Sequence, residues 1–257
     1  MKILTIQGSH RKGNTLAATN AFIEAMKAKS DQEIEVETVY VKDLDLTMCT
    51  SCHQCFMQGE DRCTEQDKLK ETISKMQRAD MWILTSPVYA LQVSALMKNW
   101  IDHMAYYFHR PTFHDKYAVV LTTTAGAAHV STAKYLKSVL ESWGVGQVDL
   151  VPLRLLAIQW TDVSPKIHET IERAAGKSLK TLARGITCKP TAYRLFAFRM
   201  FQQMSLVSPQ SADGVYWRQQ GLATKHWFVE EDNPLWGRVI SGFAKMIAKR
   251  AIKDEAN

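Results

Sequence analysis

The sequence predicts an α/β protein, in which a doubly wound, five-stranded parallel sheet is followed by a helical C-terminal extension. Three observations support this fold class. Strand-like apolar runs alternate five times with helix-like periodic segments. The first, third and fourth of these runs end in small or hydroxylated residues, where ligand loops lie in such sheets. After Arg184 the alternation stops, so the expected domains are residues 1–184 and 185–257.

The predicted strands are short apolar or alternating runs that end at turn-forming residues. They cover residues 2–7, 33–41, 81–84, 117–122 and 147–153. The second strand alternates with glutamates and is therefore expected near an edge of the sheet. The predicted helices have apolar residues at spacings of three and four. They cover residues 15–29, 67–78, 91–107, 130–143 and 165–183.

The extension is predicted to contain helices at residues 191–207 and 234–251. The first of them is apolar nearly all round. One stripe of it consists of Tyr193, Phe196, Met200, Met204 and Val207. A helix of this kind needs burial, so we expect it to pack on the main domain or across a dimer. A helix that lies on a membrane surface is the alternative interpretation.

The composition is that of an ordinary globular chain, with 46% hydrophobic and 23% charged residues among 257. Residues 1–184 carry 22 basic and 20 acidic side chains, whereas residues 185–257 carry 10 and 6. This diffuse positive charge favours anionic substrates and argues against a nucleic-acid partner. The chain has no apolar run long enough to cross a membrane, and it begins directly with a strand pattern. We therefore expect a cytoplasmic protein.

The loop after the first strand reads Gly-Ser-His-Arg-Lys-Gly-Asn-Thr at residues 8–15. The start of a helix presents unpaired backbone N–H groups and the positive end of the helix dipole. Ser9, Asn14 and Thr15 add side-chain donors, and Arg11 and Lys12 add positive charge. The loop therefore indicates a phosphate site. An ordinary strand-to-helix turn, with Asn14 or Thr15 as the N-cap, is the alternative.

Two further loops fall at the same predicted edge of the sheet. Residues 85–89 place Pro87 and the Tyr89 ring at the end of the third strand, where a flat ligand would rest. Pro87 could also simply end the strand. Residues 122–126 offer small side chains and backbone donors, which would let a ring system approach closely.

Four of the five cysteines lie within fifteen residues, and this clustering in a cytosolic chain suggests metal or redox chemistry. They are Cys49, Cys52, Cys55 and Cys63. Two successive Cys-x-x-Cys units resemble the start of a ferredoxin-type [4Fe–4S] site. The fourth cysteine is farther away than in that motif, and Thr64 rather than proline follows it. Reduced thiols in a loop are the alternative, and a structural zinc is disfavoured because no second paired segment follows.

These features together resemble the flavodoxin-like NAD(P)H-dependent FMN reductases over about residues 1–180. The resemblance rests on Gly8-Ser9-x-Arg11-x-Gly13-Asn14-Thr15, the cysteine segment, Ala79-Asp80, Ser86-Pro87-Val88-Tyr89 and Ser94-Ala95-x-x-Lys98-x-x-x-Asp102. The sequence departs from the family pattern at His10, where proline is usual, and at His103, where arginine is usual. Neither change removes a phosphate donor. Among the group, the cysteine segment looks like that of the iron–sulfur flavoproteins.

The resemblance implies noncovalently bound FMN. Ser9, Arg11, Gly13, Asn14 and Thr15 would hold its phosphate. Pro87, Val88 and Tyr89 would flank the isoalloxazine, and a loop with Thr123, Thr124 and Gly126 would close over it. The cysteine segment would hold a possible [4Fe–4S] cluster.

The implied activity is transfer of electrons from NAD(P)H through the flavin to a quinone, a nitroaromatic, a flavin or a similar small molecule. The flavin itself would carry the chemistry, and a homodimer would bring the two active sites near its interface. Two other classes remain open at this point. The chain could be an iron–sulfur flavoprotein that passes electrons to a partner protein, or a redox sensor based on its cysteines.

Overall fold

Five parallel strands form the centre of the protein in a computed structural model, which describes residues 1–229 and 235–255. The strands are β1 (Lys2–Gln7), β2 (Glu35–Tyr40), β3 (Met81–Pro87), β4 (Tyr117–Thr124) and β5 (Gln147–Arg154). They pair in the order β2-β1-β3-β4-β5, which is the flavodoxin-like order of a doubly wound sheet. The predicted fold class and the predicted edge position of β2 are confirmed.

The helices of the main domain follow the predicted alternation. They are α1 (Asn14–Lys29), α2 (Gln54–Met57), α3 (Gln66–Arg78), α4 (Ala95–His103), α5 (Tyr106–His109), α6 (His129–Ser142) and α7 (Pro165–Arg184). The extension adds α8 (Ala192–Val207), α9 (Ala212–Gln219) and α10 (Leu235–Glu255). The short helices α2, α5 and α9 were not predicted, since four to eight residues are too few to show a helical period.

The sheet is buried on both faces, because helices cover each of them. Leu4, Ile6 and Trp82 point to one core, which they share with α3, α4 and α6. Ile3 and Ile83 point to the other core, which lies against α1 and α7. Alternate residues of one strand thus serve opposite cores, and every residue of β3 is buried. This packing fixes the carboxyl ends of the strands, from which the ligand loops leave.

The helix predicted from residue 91 begins only at Ala95. Ala90 and Leu91 have positive φ angles of 48° and 66°, which a right-handed helix does not allow. Ser94 caps the helix, because its hydroxyl accepts the Met97 N–H. The segment predicted as one helix is therefore a turn, α4 and the short helix α5.

The extension builds a third, smaller core and attaches to the amino end of the sheet. Its centre contains Leu195, Phe198, Trp217 and Trp227. The Arg194 guanidinium donates to the Val145 carbonyl at 2.9 Å, immediately before β5. The Trp217 indole donates to the His109 carbonyl at 2.8 Å, ahead of β4. Trp217 and Trp227 are thus packing residues of the extension.

The apolar stripe of α8 does not pack on the main domain, which was one of its two expected placements, and packing across a dimer stays a prediction. Tyr193 and Val207 are each 62% exposed, and Phe196 and Met204 are also exposed. The face that turns inward instead buries Leu195, Phe198 and several polar side chains, including Arg194 and Arg199. Spacing identifies a stripe but not the side on which the core lies. Within the described residues, no helix is both long and apolar enough to span a membrane.

Candidate functional site

A cleft of about 530 Å³ opens at the carboxyl ends of the strands. With the exception of Gly126, the residues predicted to contact the flavin line this one cleft. They are Ser9, Arg11, Gly13, Asn14, Thr15, Pro87, Val88, Tyr89, Thr123 and Thr124. Gly126 is exposed beside it, and its N–H donates to the Thr124 hydroxyl at 3.1 Å. Three segments far apart in sequence therefore meet beyond the carboxyl ends of the strands, where open α/β sheets bind their ligands.

The first loop of the cleft leaves β1 through Gly8, which lies tightly against β3. The Gly8 N–H donates to the Thr85 carbonyl at 2.9 Å. A Cβ atom at Gly8 would lie only 2.9 Å from that carbonyl oxygen and 2.7 Å from the Met97 side chain. The position thus requires glycine because two segments of backbone approach each other closely.

The start of α1 is open to an anion. Its N-cap is Gly13, which offers no side-chain cap, so the alternative with Asn14 or Thr15 as the cap is wrong. The first N–H groups of the helix therefore remain available. A Cβ atom at Gly13 would meet nothing within 4 Å. Arg11 and Lys12 are exposed beside it, so the loop combines free donors with positive charge.

Short hydrogen bonds fix the loop in this shape. The Ser9 hydroxyl donates to the Arg11 carbonyl at 2.7 Å and accepts the Arg11 N–H at 3.2 Å. The Thr15 and Thr123 hydroxyls lie 2.7 Å apart in a buried contact, which joins the first loop to the end of β4. The Asn14 amide donates to the Ile158 carbonyl at 3.1 Å. The donors of the cleft are therefore organised before any ligand arrives.

The remaining walls of the cleft are apolar. Tyr89 is 41% exposed, and its backbone pairs with Gln92. The loop after β5 adds Leu155, Ala157 and Ile158, which the sequence analysis missed. The rule that ligands bind beyond the carboxyl ends of strands applies equally to β5 and could have identified them. The cleft thus has a cationic, donor-rich end and an apolar end, and this combination fits a phosphorylated ring compound.

A second hollow, of about 620 Å³, lies at the opposite end of the sheet. Lys29, Asp80 and Asp115 are among the residues that line it. Acidic and basic groups are mixed there, and no loop with the sequence features of a ligand site reaches it. The carboxyl-end cleft is therefore the candidate site despite its slightly smaller volume.

The cysteine segment is held by α4. The Cys49 N–H donates to the Asn99 side chain at 3.0 Å, and the Asn99 amide donates back to the Thr47 carbonyl at 2.8 Å. The cap of the same helix, Ser94, donates its hydroxyl to the Gly8 carbonyl. One short helix thus connects the cysteine segment to the first loop of the cleft.

The extension holds the cysteine segment from the other side. The Arg110 guanidinium donates to the Cys55 carbonyl at 2.7 Å and pairs with Glu60 at 2.9 Å. Asp213, on α9, lies 2.7 Å from the His109 ring nitrogen and 3.3 Å from the Arg110 guanidinium. The segment is therefore fixed between the main domain and the extension.

The thiols of the segment influence one another. Burial is the main reason that the pKa of Cys55 is raised to about 11, and the charges of Cys63, Cys52 and Cys49 raise it further against the opposing effect of Arg110. Burial also raises the pKa of Cys63, with contributions from the charges of Cys49 and Cys52. Geometry brings two of them together, because the Cys49 and Cys63 thiols both contact the last residues of α4, at Asp102 and His103.

All four cysteines of the segment are free thiols. Within residues 1–229 and 235–255, no three histidine, cysteine or acidic side chains are placed to bind one metal ion. A four-iron cluster binds each thiolate at a different iron atom and so needs a wider arrangement than a single ion. The four thiols of the segment are exposed or half-buried, and thiolate is the donor that such a cluster uses.

His103 lies at this segment and is buried rather than packed on the helix surface. Its Nε2 lies 2.8 Å from the Thr47 carbonyl, and its Nδ1 lies 3.6 Å from the Cys63 sulfur. Because a carbonyl only accepts, Nε2 carries the proton and Nδ1 accepts from the thiol. His103 thereby helps to fix Cys63.

The fold and the cleft define a class of protein, the open parallel α/β proteins with a cationic, donor-rich loop after β1. The chain belongs to the NADPH-dependent FMN reductase family, whose model matches residues 1–151. This stretch includes the first three ligand loops and the whole cysteine segment. The family predicted from the sequence motifs is confirmed.

Two relatives represent the kinds of protein that the chain resembles. An iron–sulfur flavoprotein of Archaeoglobus fulgidus is 37% identical over 147 residues, which are 56% of this chain and 64% of that protein. An FMN-dependent NADH:quinone oxidoreductase of Clostridium perfringens is 22% identical over 70% of this chain and 98% of its own length. The chain spans less than two thirds of the iron–sulfur flavoproteins that it matches.

A solved structure shows the same fold. It is an FMN-dependent NADH-azoreductase of Bacillus anthracis in complex with FMN, with a TM-score of 0.51 and 18% identity. The similarity covers 69% of this chain and 99% of that one.

Proposed function

We propose that this chain is an FMN-dependent oxidoreductase that takes electrons from NADH or NADPH and reduces a quinone, a nitroaromatic, a flavin or a similar small acceptor. The observation that carries the proposal is the convergence of an uncapped helix start, two cationic side chains and an exposed aromatic ring in one cleft. Membership of the FMN reductase family supports it.

Each part of the cleft has a role in this proposal. Ser9, Arg11, Gly13, Asn14 and Thr15 would hold the phosphate through hydroxyl, amide and backbone donors, together with the Arg11 charge. Pro87, Val88 and Tyr89 would flank the isoalloxazine. Thr123 and Thr124 would lie at its edge, and Gly126 would belong to the loop beside them. Residues 1–184 would form the flavin domain and residues 185–257 an appended extension.

The flavin, when bound, would accept a hydride from the nicotinamide and deliver two electrons to the acceptor. The lining side chains are alcohols, an amide, cations and apolar groups. Their contribution is therefore to bind and orient the cofactor and to exclude water from its apolar edge. The donors at the cleft are held by bonds within the protein, so little reorganisation is needed when the phosphate arrives.

An anaerobic reduction experiment tests this proposal. The chain is reconstituted with FMN, freed of excess flavin and mixed with NADH or NADPH in a stopped-flow spectrometer, followed by benzoquinone. We expect the flavin band to bleach and then to return. Arg11→Gln should weaken FMN retention, whereas Lys166→Gln, the same loss of charge on the exposed side of α7, should not. Failure to retain FMN, or bleaching no faster than that of free FMN, would contradict the proposal.

We also propose a homodimer and a cytoplasmic location. Leu91, Val130 and Ile158 are exposed around the cleft, and Ile158 is 91% exposed. A second copy seated on this rim would cover them and complete the acceptor pocket. Light scattering should give the mass of a dimer for the parent and that of a monomer for Leu91→Asp. A monomeric parent would contradict the dimer.

The coupled thiols favour a second candidate function. Cys49, Cys52, Cys55 and Cys63 would hold a [4Fe–4S] cluster beside the flavin, and the chain would then pass electrons to a partner protein. The name of the Archaeoglobus relative supports this candidate. If the thiols hold no cluster, a cysteine-based redox response is the remaining interpretation of this segment.

Iron and acid-labile sulfide assays on anaerobically purified protein distinguish these possibilities. A cluster predicts iron and sulfide in equal amounts with a broad visible absorbance, all lost in Cys52→Ser and retained in Cys188→Ser. Cys188 is a suitable control, since it is buried in the extension and outside the segment. Flavin without iron or sulfide would contradict the cluster and leave the simple reductase.

A further inference from the structure

The outward face of α10 is unusually apolar. It presents Leu235, Trp236, Val239, Phe243 and Met246, whose exposed fractions range from 43% to 82%. Their spacing of three and four residues places them along one side of the helix. Gly237, Ser241 and Ala244 are buried on the opposite side. The helix therefore turns its small residues toward the protein and its large apolar residues toward the surroundings.

Helix α8, which packs against α10, has the same inverted orientation. Its buried side includes Arg194, Arg199 and Gln202, and its exposed side includes Tyr193 and Val207. Polar bonds hold this side of α8 in place, because Arg199 donates to the Gln202 side chain and to the Lys225 carbonyl. The orientation is thus a stable arrangement of polar bonds. Two neighbouring helices that expose apolar stripes indicate an interaction surface.

The charges on α10 favour a partner with an anionic surface. Helix α10 has five basic residues in its sequence, and its two acidic residues, Asp254 and Glu255, are its last two. Arg238 and Lys245 are seven residues apart and lie along one border of the apolar stripe, and Arg238 is exposed. An apolar stripe with an aromatic residue and a basic border matches a helix that lies in the headgroup region of an anionic bilayer.

We propose that the exposed sides of α8 and α10 bind the surface of an anionic lipid bilayer. Trp236 and Tyr193 would sit at the level of the headgroups, where aromatic side chains with a polar group are favoured. A second copy of the chain is a poorer occupant. A two-fold contact through α10 would bring the basic residues of both copies together, and like charges oppose such an interface.

The attachment of the extension is compatible with this surface. Arg194 and Trp217 fix it to segments that precede β5 and β4, at the amino end of the sheet. The candidate flavin cleft lies beyond the carboxyl ends of the strands. Binding through α8 and α10 would therefore leave the cleft open to water and to small substrates.

Vesicle flotation with the full chain tests the proposal. We expect binding to vesicles that mix phosphatidylglycerol with phosphatidylcholine, little binding to phosphatidylcholine alone, and release at high salt. Arg238→Glu with Lys245→Glu should weaken binding by more than about tenfold. Lys166→Glu with Lys180→Glu makes the same charge change on exposed positions of α7 and should leave binding intact. Val239→Ser with Phe243→Ser should abolish binding.

A second measurement uses the parent protein and does not depend on how these variants fold. Five of the seven tryptophans are at most 1% exposed, whereas Trp236 is 48% exposed. Brominated anionic lipid should therefore quench part of the parent's fluorescence but much less of that of Trp236→Phe. Absence of binding to anionic vesicles, or equal binding to neutral ones, would overturn the proposal. A dimeric parent that becomes monomeric in Val239→Ser with Phe243→Ser, without vesicle binding, would show that a second copy covers the stripe.

Discussion

The carboxyl-end cleft and the C-terminal extension follow different rules for the placement of polar groups. At the surface of the cleft, no side chain caps the first N–H groups of α1. The hydrogen bond between Thr15 and Thr123, which helps to fix the loop, is buried. The extension buries whole cationic side chains and leaves large apolar ones outside. The first arrangement suits a small anionic ligand and the second a broad apolar partner. The two proposed recognition surfaces would thus use opposite arrangements of polar groups.

We expect the stability of the extension and the FMN affinity of the cleft to be separable. Among the variants that test this, Trp217→Ala should have the largest effect. Trp217 is fully buried in the extension, so its truncation should lower the free energy of unfolding by about 3–5 kcal/mol. FMN affinity should change little, because all the described residues that line the cleft belong to the main domain. Denaturant unfolding and FMN titration measure the two effects.

Trp236→Ala is the matched control, because Trp236 is exposed on the same extension. Its effect on stability should remain below about 0.5 kcal/mol. A loss of FMN affinity in Trp217→Ala comparable to its loss of stability would show that the cleft depends on the extension, and the separation of the two regions would be wrong.

Gly8→Ala perturbs the first loop of the cleft rather than the extension. The new methyl group would press against the Thr85 carbonyl and Met97, at a cost of about 1–3 kcal/mol. Thermal unfolding should show a lower melting temperature and weaker FMN protection. Gly126→Ala, at the same edge, has open space and should melt at the temperature of the parent when no FMN is bound. Equal melting temperatures for the two variants would mean that the contact at Gly8 is not tight.

Thr15→Val gives a smaller and more local effect. It removes a hydroxyl that lines the cleft and bonds Thr123, so we expect FMN to bind roughly 5- to 30-fold more weakly. Thr19→Val removes a buried hydroxyl one turn farther along α1. Among the contacts described, this hydroxyl donates a hydrogen bond only to the Thr15 carbonyl. It should leave FMN affinity nearly unchanged. Equal losses in both variants would place the effect in the stability of α1 rather than in the cleft.

The sequence predicted the main domain well because its signals are local. Strands such as residues 2–7 are continuous apolar runs, and the loops that follow them carry glycine, hydroxyl and proline residues with specific backbone roles. The cleft residues followed from a topological rule, because parallel strands bring their carboxyl ends to one edge. The loop after β5 was missed, since Leu155, Ala157 and Ile158 have no polar signature.

The extension could be predicted only in part. The periodicity of α8 located the apolar stripe but could not show which side faces the protein. That choice depends on long-range bonds, such as those of Arg194 to residues before β5. The positive φ angles at Ala90 and Leu91 were equally invisible to a pattern of apolar spacing. Tertiary contacts, rather than local preferences, decided these features.

The pair Gly13→Asp and Gly13→Asn tests most directly whether the first loop holds the flavin phosphate. Gly13 has extended backbone and open space, so both side chains fit, and both are good N-caps for α1. They differ only in charge. We expect the aspartate variant to bind FMN at least about tenfold more weakly than the asparagine variant, while riboflavin, which lacks the phosphate, binds both equally. Equal FMN affinities in the two variants would contradict a phosphate site at the start of α1.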